Sequence, residues 1–101
     1  MSAPDEIIHQ STRLKIMSTL NAMRGNGRLE FQELKKLLAV TDGNLGTHLA
    51  TLEASGYIVL EKDFVGRKPR TRAALTRAGR RAFEHHVQYL RDVIDGAGTD
   101  R

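Results

Sequence analysis

A block of positive charge is the first feature of this sequence that could bind a charged partner. Residues 66–81 contain no acidic residue and seven basic ones: Arg67, Lys68, Arg70, Arg72, Arg77, Arg80 and Arg81. The whole chain of 101 residues has a formal net charge of +4, so the rest of the chain carries a net charge of −3. Positive charge confined to one segment is typical of a surface that contacts nucleic-acid phosphates. The same charge could also attract RNA or an acidic protein.

A second group of side chains has the types and the spacing to contact base edges. Within a predicted helix at about residues 43–55, Leu45, Leu49 and Leu52 recur at the spacing of a buried stripe. The outer side is polar and uncharged, with Asn44, Thr47 and Thr51 on one face and His48 at its margin. Asn can bond adenine through two hydrogen bonds, and Thr can bond phosphate or contact a thymine methyl group. An ordinary solvated helix face would have the same pattern.

The composition excludes several kinds of catalytic chemistry. The chain has no Cys, so it cannot form disulfides, thiolate metal sites or a Cys nucleophile. It also contains no phosphate-binding loop, nucleophile elbow or zinc-hydrolase motif. We therefore predict a protein that is not an enzyme and that needs no cofactor.

The histidines offer a weaker alternative. Glu84, His85 and His86, with Asp92 and Asp95 further along, could supply zinc ligands on one helix. Their spacing matches no strong ligand motif, and a His on a broad apolar helix face is more often packed there. We predict no metal site.

The pattern of apolar residues predicts the elements in the first half of the chain. Residues 5–23 have a helical period that indicates a short helix running into a longer one, ended by a turn at residues 25–27. Residues 28–30 are a possible short strand, and residues 31–39 form an amphipathic helix. A turn at residues 41–44, in which a side-chain oxygen can cap the next helix, leads into residues 43–55.

The second half of the chain predicts a hairpin and a long helix. Residues 57–64 and 72–75 read as two strands around a basic tip at residues 66–70, stiffened by Pro69. Thr76 can cap a final helix that extends to about residue 95, and residues 96–101 read as a flexible tail. The apolar face of this helix is wide enough to contact two surfaces, so we expect a second copy of the chain to pack there.

This order of elements resembles the winged helix-turn-helix transcriptional regulators of the MarR and ArsR type, and among them the small stand-alone domains. The resemblance covers nearly the whole chain and is carried by HQSTRL (9–14), FQELK (31–35), TDGNL (41–45), HL (48–49), LE (52–53), GYI (56–58), GRKPRT (66–71) and LTRAGR (75–80). It implies one domain over residues 1–101, mainly α with a small β-hairpin, in the order α-α-(β)-α-α-β-β-α.

The resemblance also implies a function and its residues. The protein is expected to be a sequence-specific transcriptional regulator, acting as a homodimeric repressor on a near-palindromic site in double-stranded DNA. The second helix of the pair enters the major groove and the hairpin contacts phosphates and the minor groove. The expected DNA-binding residues are Thr41, Asn44, Thr47, His48, Thr51, Lys35, Lys36, Arg67, Lys68, Arg70 and Arg72. The expected dimer interface consists of Ile7, Ile8, Phe83, Val87, Leu90 and Ile94.

The sequence departs from these families in two ways. It lacks the Cys ligands that metal-sensing ArsR proteins use, and it is shorter than usual MarR proteins, whose terminal helices frame an effector pocket. The alternatives are a non-specific nucleic-acid-binding or protein-interaction winged-helix module, or a metal- or ligand-responsive sensor of the ArsR type. Because no segment resembles a signal peptide or a membrane span, we expect a cytoplasmic location and no membrane partner. The sequence names no small-molecule effector.

Overall fold

Four helices and three strands make up the part of the chain that the computed structural model describes, residues 3–23 and 27–98. In order, its elements are α1 (Ser11–Asn21), β1 (Leu29–Glu30), α2 (Phe31–Leu38), α3 (Asp42–Ala54), β2 (Ile58–Val65), β3 (Lys68–Leu75) and α4 (Arg77–Gly98). The prediction of a mainly helical winged helix with a small hairpin is confirmed. The turn predicted at residues 25–27 lies mostly outside the described residues. Within the described ranges, no helix combines the length and the apolar character that a membrane span requires.

The helix predicted ahead of α1 is a single turn instead. The carbonyl of Asp5 accepts a hydrogen bond from the N–H of His9 at 2.7 Å. The Asp5 carboxylate accepts the N–H groups of Ile7 and Ile8 at 2.9 and 3.1 Å. These bonds satisfy the first N–H donors of a turn, but the helix does not continue beyond it. The backbone of Gln10 is extended, so α1 begins separately at Ser11. Ile8 is fully buried, so its helical spacing reflects burial in the core rather than a continuous helix.

The connection between α2 and α3 lies earlier than predicted. Ala39 ends α2 in the left-handed region at φ 54° and ψ 50°, which lets the chain turn sharply. Thr41 then caps α3, because its Oγ1 accepts the N–H of Asn44 at 3.1 Å. Asp42 already belongs to the first turn of α3, where its negative charge stabilises the helix N-terminus. The turn therefore consists of residues 39–41, and only the cap at Thr41 agrees with the prediction.

The three strands form one antiparallel sheet in the order β1-β3-β2. Val65 pairs with Lys68, so Gly66 and Arg67 alone form the hairpin turn, with a positive φ of 64° at Gly66. A two-residue turn with glycine first is typical of hairpins whose strands twist together. The second strand is thus longer than predicted and the first is shifted by one residue, and Pro69 lies within β3 rather than in the tip. We call residues 58–75 the wing.

One hydrophobic core joins the helices to the base of the wing. It contains Ile8, Ile16, Met17, Leu20, Leu34, Leu45, Leu49, Leu52, Ile58, Ala73 and Phe83, all buried. The predicted leucine stripe of α3 is part of this core, so the opposite side of α3 is left to face solvent. Burying each large aliphatic side chain contributes about 1.5–3 kcal/mol, which fixes the orientation of the short helix α3.

The start of α4 packs tightly against the segment between α3 and β2. Thr76 Oγ1 accepts the N–H of Gly79 at 2.9 Å and donates to the carbonyl of Gly56 at 2.6 Å. A Cβ atom at Gly79 would lie 2.0 Å from the carbonyl oxygen of Tyr57. The predicted cap at Thr76 is confirmed. At its other end α4 runs to Gly98, so residues 96–98 are helical rather than part of a tail, and residues 99–101 lie outside the described residues.

Asp5 connects the N-terminal turn to α4 and to Tyr57, the residue just before the wing. Its N–H donates to Nδ1 of His86, which is 1 % exposed, at 3.1 Å. Its carboxylate accepts the Tyr57 hydroxyl at 2.6 Å, and this bond raises the pKa of Tyr57 to about 12. His9 and Tyr89 pack their rings against His86 at centroid distances of 5.3 and 5.8 Å. The N-terminal turn is therefore held in place from two sides.

Because His86 is buried, the stability of the fold should decrease in mildly acidic solution. Burial, and then the nearby ring of His9, lower the pKa of His86, so its charged form is favoured in the unfolded chain. Stability is then full above about pH 6.5 and decreases as the pH falls below that value, by at most about 1.4 kcal/mol per pH unit for one group.

Urea denaturation between pH 7.5 and 5 measures this effect. His86→Gln retains an acceptor for the Asp5 N–H but cannot ionise, so its free energy of unfolding should vary less with pH than that of the wild type. His85→Gln, at the exposed neighbouring position, is the matched control. Equal pH profiles for the wild type and His86→Gln would refute the assignment to His86.

Candidate nucleic-acid interface

The residues predicted to contact DNA lie on three elements: α2, α3 and the wing. On α2, Lys35 forms an ion pair with Asp42 at 2.8 Å, whereas Lys36 is exposed. Lys35 therefore stabilises the start of α3, and Lys36 is the α2 lysine with the freer charge. We predicted the same role for Lys35 and Lys36, because the ion pair of Lys35 depends on the turn that brings Asp42 close to α2.

The outer face of α3 presents Asn44 and Thr47 to solvent, while Thr51 is half-buried. The Thr51 hydroxyl donates to the backbone carbonyl of Thr47 at 3.1 Å. The Thr41 hydroxyl is likewise used as the helix cap. The amide of Asn44 and the hydroxyl of Thr47 are thus the polar groups on this face that are fully available to an external partner.

His48 lies beside this face and turns toward α1. Its Nδ1 is 3.1 Å from Nη1 of Arg13. The ring is half-buried, and this burial, followed by the positive charge of Arg13, lowers the pKa of His48. His48 is therefore neutral near pH 7. The contact with Arg13 was not predicted, since the two residues lie 35 positions apart in the chain.

The basic residues of the wing fall into two classes, those paired with acidic residues and those without an ion pair in the described part of the chain. Arg70 pairs with Asp63 through two hydrogen bonds of 2.9 and 2.7 Å. Arg72 lies 3.3 Å from Asp63 and 3.6 Å from Glu61. These contacts follow from the register of the hairpin, which places Asp63 opposite Arg70 and Glu61 opposite Arg72. Arg70 and Arg72 are therefore engaged within the sheet, and the predicted DNA contacts of these two residues stay predictions.

Ion pairs with arginine also lower the pKa of the acidic residues in the wing. The hydrogen bonds from Arg70 lower the pKa of Asp63, and those from Arg28 lower the pKa of Glu61. Both carboxylates thus stay ionised well below neutral pH and hold their arginines on the sheet. Because the groups are partly exposed to solvent, we assign this network an orienting role rather than a large contribution to stability.

The tip of the wing carries the basic residues that remain available. Arg67 and Lys68 are both exposed, and neither has an ion pair among the described residues. Phe64, which pairs with Pro69 across the hairpin, is 69 % exposed. This aromatic surface next to the basic tip was missed, because in the sequence Phe64 reads as an ordinary inward-facing strand residue.

The residues predicted for dimerisation are divided between the core and the surface. Ile8 and Phe83 belong to the core of the single chain, and Ile7 and Val87 are partly buried against it. Leu90 is half-buried, and Ile94 is 68 % exposed. Val93, which was not predicted to belong to the dimer interface, is 49 % exposed. An apolar surface is therefore left mainly on the last turns of α4, and Ile8 and Phe83 offer almost no area to a partner.

The described acidic and histidine residues of α4 do not form a cluster of metal ligands. Within residues 3–23 and 27–98, no group of three or more His, Cys, Asp or Glu side chains is placed to hold a metal ion. His85 and Glu84 are exposed, while His86 is buried next to His9.

Comparison with known proteins agrees with this architecture. Residues 12–94 match the family described as "Winged helix DNA-binding domain". An uncharacterised protein of Methanocaldococcus jannaschii is 33 % identical over 82 residues, which cover 81 % of this chain and 86 % of that protein.

Solved structures show the same fold. A transcriptional regulator homologue from Pyrococcus horikoshii superposes with a TM-score of 0.85 at 32 % identity, covering 94 % of this chain and 91 % of the other. A protein assigned to the MarR family of transcriptional regulators, from Porphyromonas gingivalis, has a TM-score of 0.69 at 17 % identity, covering 90 % and 85 % of the two chains. With the family match over residues 12–94 and the helix-turn-helix and wing in place, this chain belongs to the winged helix DNA-binding domain family.

Proposed function

We propose that this protein is a sequence-specific regulator of transcription that binds double-stranded DNA as a homodimer and represses by occupying its operator. The observation that carries the proposal is the packing of α3. Its leucine stripe is buried in the core, so the polar side chains of Asn44 and Thr47 are held outward on a fixed helix. A helix presented in this way fits the major groove, where each base pair has a distinct pattern of donors and acceptors.

The roles of the three elements follow from the geometry of this class of protein. α3 reads base edges, α2 crosses the backbone with Lys36 toward a phosphate, and the wing tip contacts phosphates or the minor groove through Arg67 and Lys68. Because α3 itself contains no Lys or Arg, the sequence-independent part of the affinity comes from α2 and the wing. Such a regulator acts in the cytoplasm, where the chromosome of a bacterium or archaeon is transcribed.

Asn44 tests whether α3 reads sequence. We expect Asn44→Ala to change the preference among duplexes at one or two base pairs per half-site, with a loss of about 1–3 kcal/mol on the preferred duplex and little on unrelated DNA. Selection of duplexes from a random pool by wild type and variant measures this preference. Thr51→Ala is the comparison variant on the same face of α3, and because the Thr51 hydroxyl already bonds within the helix, we expect a smaller change in preference. Equal weakening on all duplexes would show that Asn44 contacts only the backbone.

The proposed dimer uses the end of α4. This helix has 22 residues, and at about 1.5 Å per residue it extends roughly 33 Å. Ile94 and Val93 expose apolar side chains near its end, where no core of the same chain covers them. Pairing two such helices would bury this surface and place two copies of α3 on successive major grooves of a near-palindromic site, about 34 Å apart.

Ile94→Glu tests this interface without disturbing the core. We expect the variant to sediment as a monomer and to lose at least about a hundredfold in affinity for a two-half-site duplex, because each half then binds separately. Glu84→Gln, at an exposed position nearer the start of α4, provides a control for changes on the helix surface. A variant that remains dimeric would show that the copies pair through another face.

A further inference from the structure

Arg13, in the first turn of α1, contacts the side chain of His48 on α3. Arg13 Nη1 and His48 Nδ1 are 3.1 Å apart. A guanidinium group has N–H donors and no acceptor, so Arg13 donates and Nδ1 must offer a lone pair. In a neutral imidazole whose Nδ1 is an acceptor, the proton resides on Nε2. The contact therefore selects one of the two tautomers of His48.

The guanidinium that makes this selection is itself held in place. Arg13 Nε donates to the backbone carbonyl of Ile7 at 2.5 Å, and its backbone N–H donates to Oε1 of Gln10 at 2.9 Å. The carbonyl of Ile7 belongs to the N-terminal turn that Asp5 fixes against His86. The donor that faces His48 is thus positioned before any ligand arrives.

The other ring nitrogen of His48 is open. Nε2 makes no hydrogen bond to the described part of the chain. It is accessible to solvent rather than enclosed in the protein. His48 is one helical turn from Asn44 and from Thr51, so it borders the face that we propose reads DNA. A single N–H donor of fixed orientation therefore stands at the edge of that face.

We propose that Arg13 is a positioning residue that fixes His48 as the Nε2–H tautomer, and that His48 donates this hydrogen bond to a guanine in the major groove. Guanine presents two neighbouring acceptors there, N7 and O6, whereas adenine presents an acceptor beside an amino donor. A donor placed at O6 discriminates between these two purines, because adenine has its amino group at that position, whereas N7 accepts from either purine. This inference rests on the proposed function, since it names a base that the same helix face would recognise.

The tautomer can be measured in the free protein, without DNA. In a ¹⁵N-labelled sample near pH 7.5, the ring nitrogens of His48 should show a protonated Nε2 and an unprotonated Nδ1. Arg13→Ala should move the ring toward a mixture of the two tautomers. Arg13→Lys, which keeps the charge, serves as the second variant if the Ala variant folds poorly. A wild-type ring protonated at Nδ1 would overturn the proposal.

A double-variant cycle on a selected duplex tests the contact with guanine. We expect His48→Ala and Arg13→Ala each to reduce discrimination between guanine and adenine at one position by about three- to tenfold per protomer. The double variant should lose no more than His48→Ala alone, because Arg13 acts through His48. A merely structural Arg13 would give additive losses at every position, and that result would refute its positioning role.

The two tests also separate this inference from the proposed function. If the wild type binds no duplex, the proposed function and the guanine contact both fail, while the tautomer measurement still decides the role of Arg13. If the wild type selects a sequence but His48→Ala leaves the purine preference unchanged, only the guanine contact fails.

Discussion

Replacing Arg67 and Lys68 together by Ala should reduce DNA affinity by on the order of a thousandfold near 0.1 M salt, if both residues of both protomers contact phosphates. Each lost contact removes about 0.9 from the slope of log K against log salt concentration, so four lost contacts reduce its magnitude by about 3.6. The reason is that Arg67 and Lys68 are exposed at the wing tip, whereas Arg70 and Arg72 are already paired with Asp63. Titration of a labelled duplex over a salt series measures both quantities.

A matched variant separates the position of the charge from its amount. Arg77→Ala with Arg81→Ala removes the same charge from two exposed positions at the start of α4, away from the wing tip. We expect this variant to keep nearly the wild-type slope. Equal slopes for the wild type and the wing variant would refute the assignment of phosphate contacts to the tip.

Gly79→Ala should destabilise the fold by about 3 kcal/mol or more, at the upper end of what overpacking costs. The added Cβ would lie 2.0 Å from the carbonyl oxygen and 2.8 Å from the carbonyl carbon of Tyr57, and these are backbone atoms that cannot rotate away. α4 would have to shift, which would also strain the hydrogen bonds from Thr76 to Gly56 and from Gly79 to Thr76. Urea denaturation followed by circular dichroism measures the loss.

Gly96→Ala is the control for the change of residue type. Gly96 lies in the same helix, and a Cβ there would meet nothing within 4 Å. Because Ala favours a helix over Gly by up to about 1 kcal/mol, this variant should be as stable as the wild type or slightly more stable. A Gly79→Ala variant with wild-type stability would show that α4 does not approach the backbone of Tyr57 as closely as described.

The parts of the fold that the sequence predicted well are those in which one pattern decides the outcome. The leucines of α3 are spaced for a buried stripe, and Leu45, Leu49 and Leu52 are all in the core. Thr76 had the side chain to cap α4, and it does so. The hairpin was recognised from its β-branched and aromatic residues, although its strands extend to Val65 and Lys68.

The N-terminal turn shows how two causes can produce one pattern. Residues 5–23 have apolar residues mostly at helical spacing, but Ile8 is buried because Asp5 fixes the turn from both ends. The partners of Asp5, Tyr57 and His86, lie 52 and 81 residues away in the chain. Periodicity cannot reveal contacts of that range, so the prediction of a helix there was wrong.

The site residues were harder to predict, because charge is visible in the sequence but pairing is not. Whether Arg70 faces a phosphate or Asp63 depends on the register, and the register depends on a turn of only two residues at Gly66 and Arg67. A five-residue tip at residues 66–70, as predicted, would have paired different residues. In the same way, the contact between Arg13 and His48 depends on the packing of α1 on α3.

Selection from a random pool of duplexes, followed by footprinting of the enriched sequence, tests the central proposal most directly. The proposed function predicts a motif with two symmetric halves about 10–11 base pairs apart, centre to centre, protected on one face of the duplex. It also predicts that the selected duplex binds at least about a thousandfold more tightly than unrelated DNA at the same salt concentration. Enrichment of no motif, with binding removed equally well by any duplex, would contradict a sequence-specific regulator.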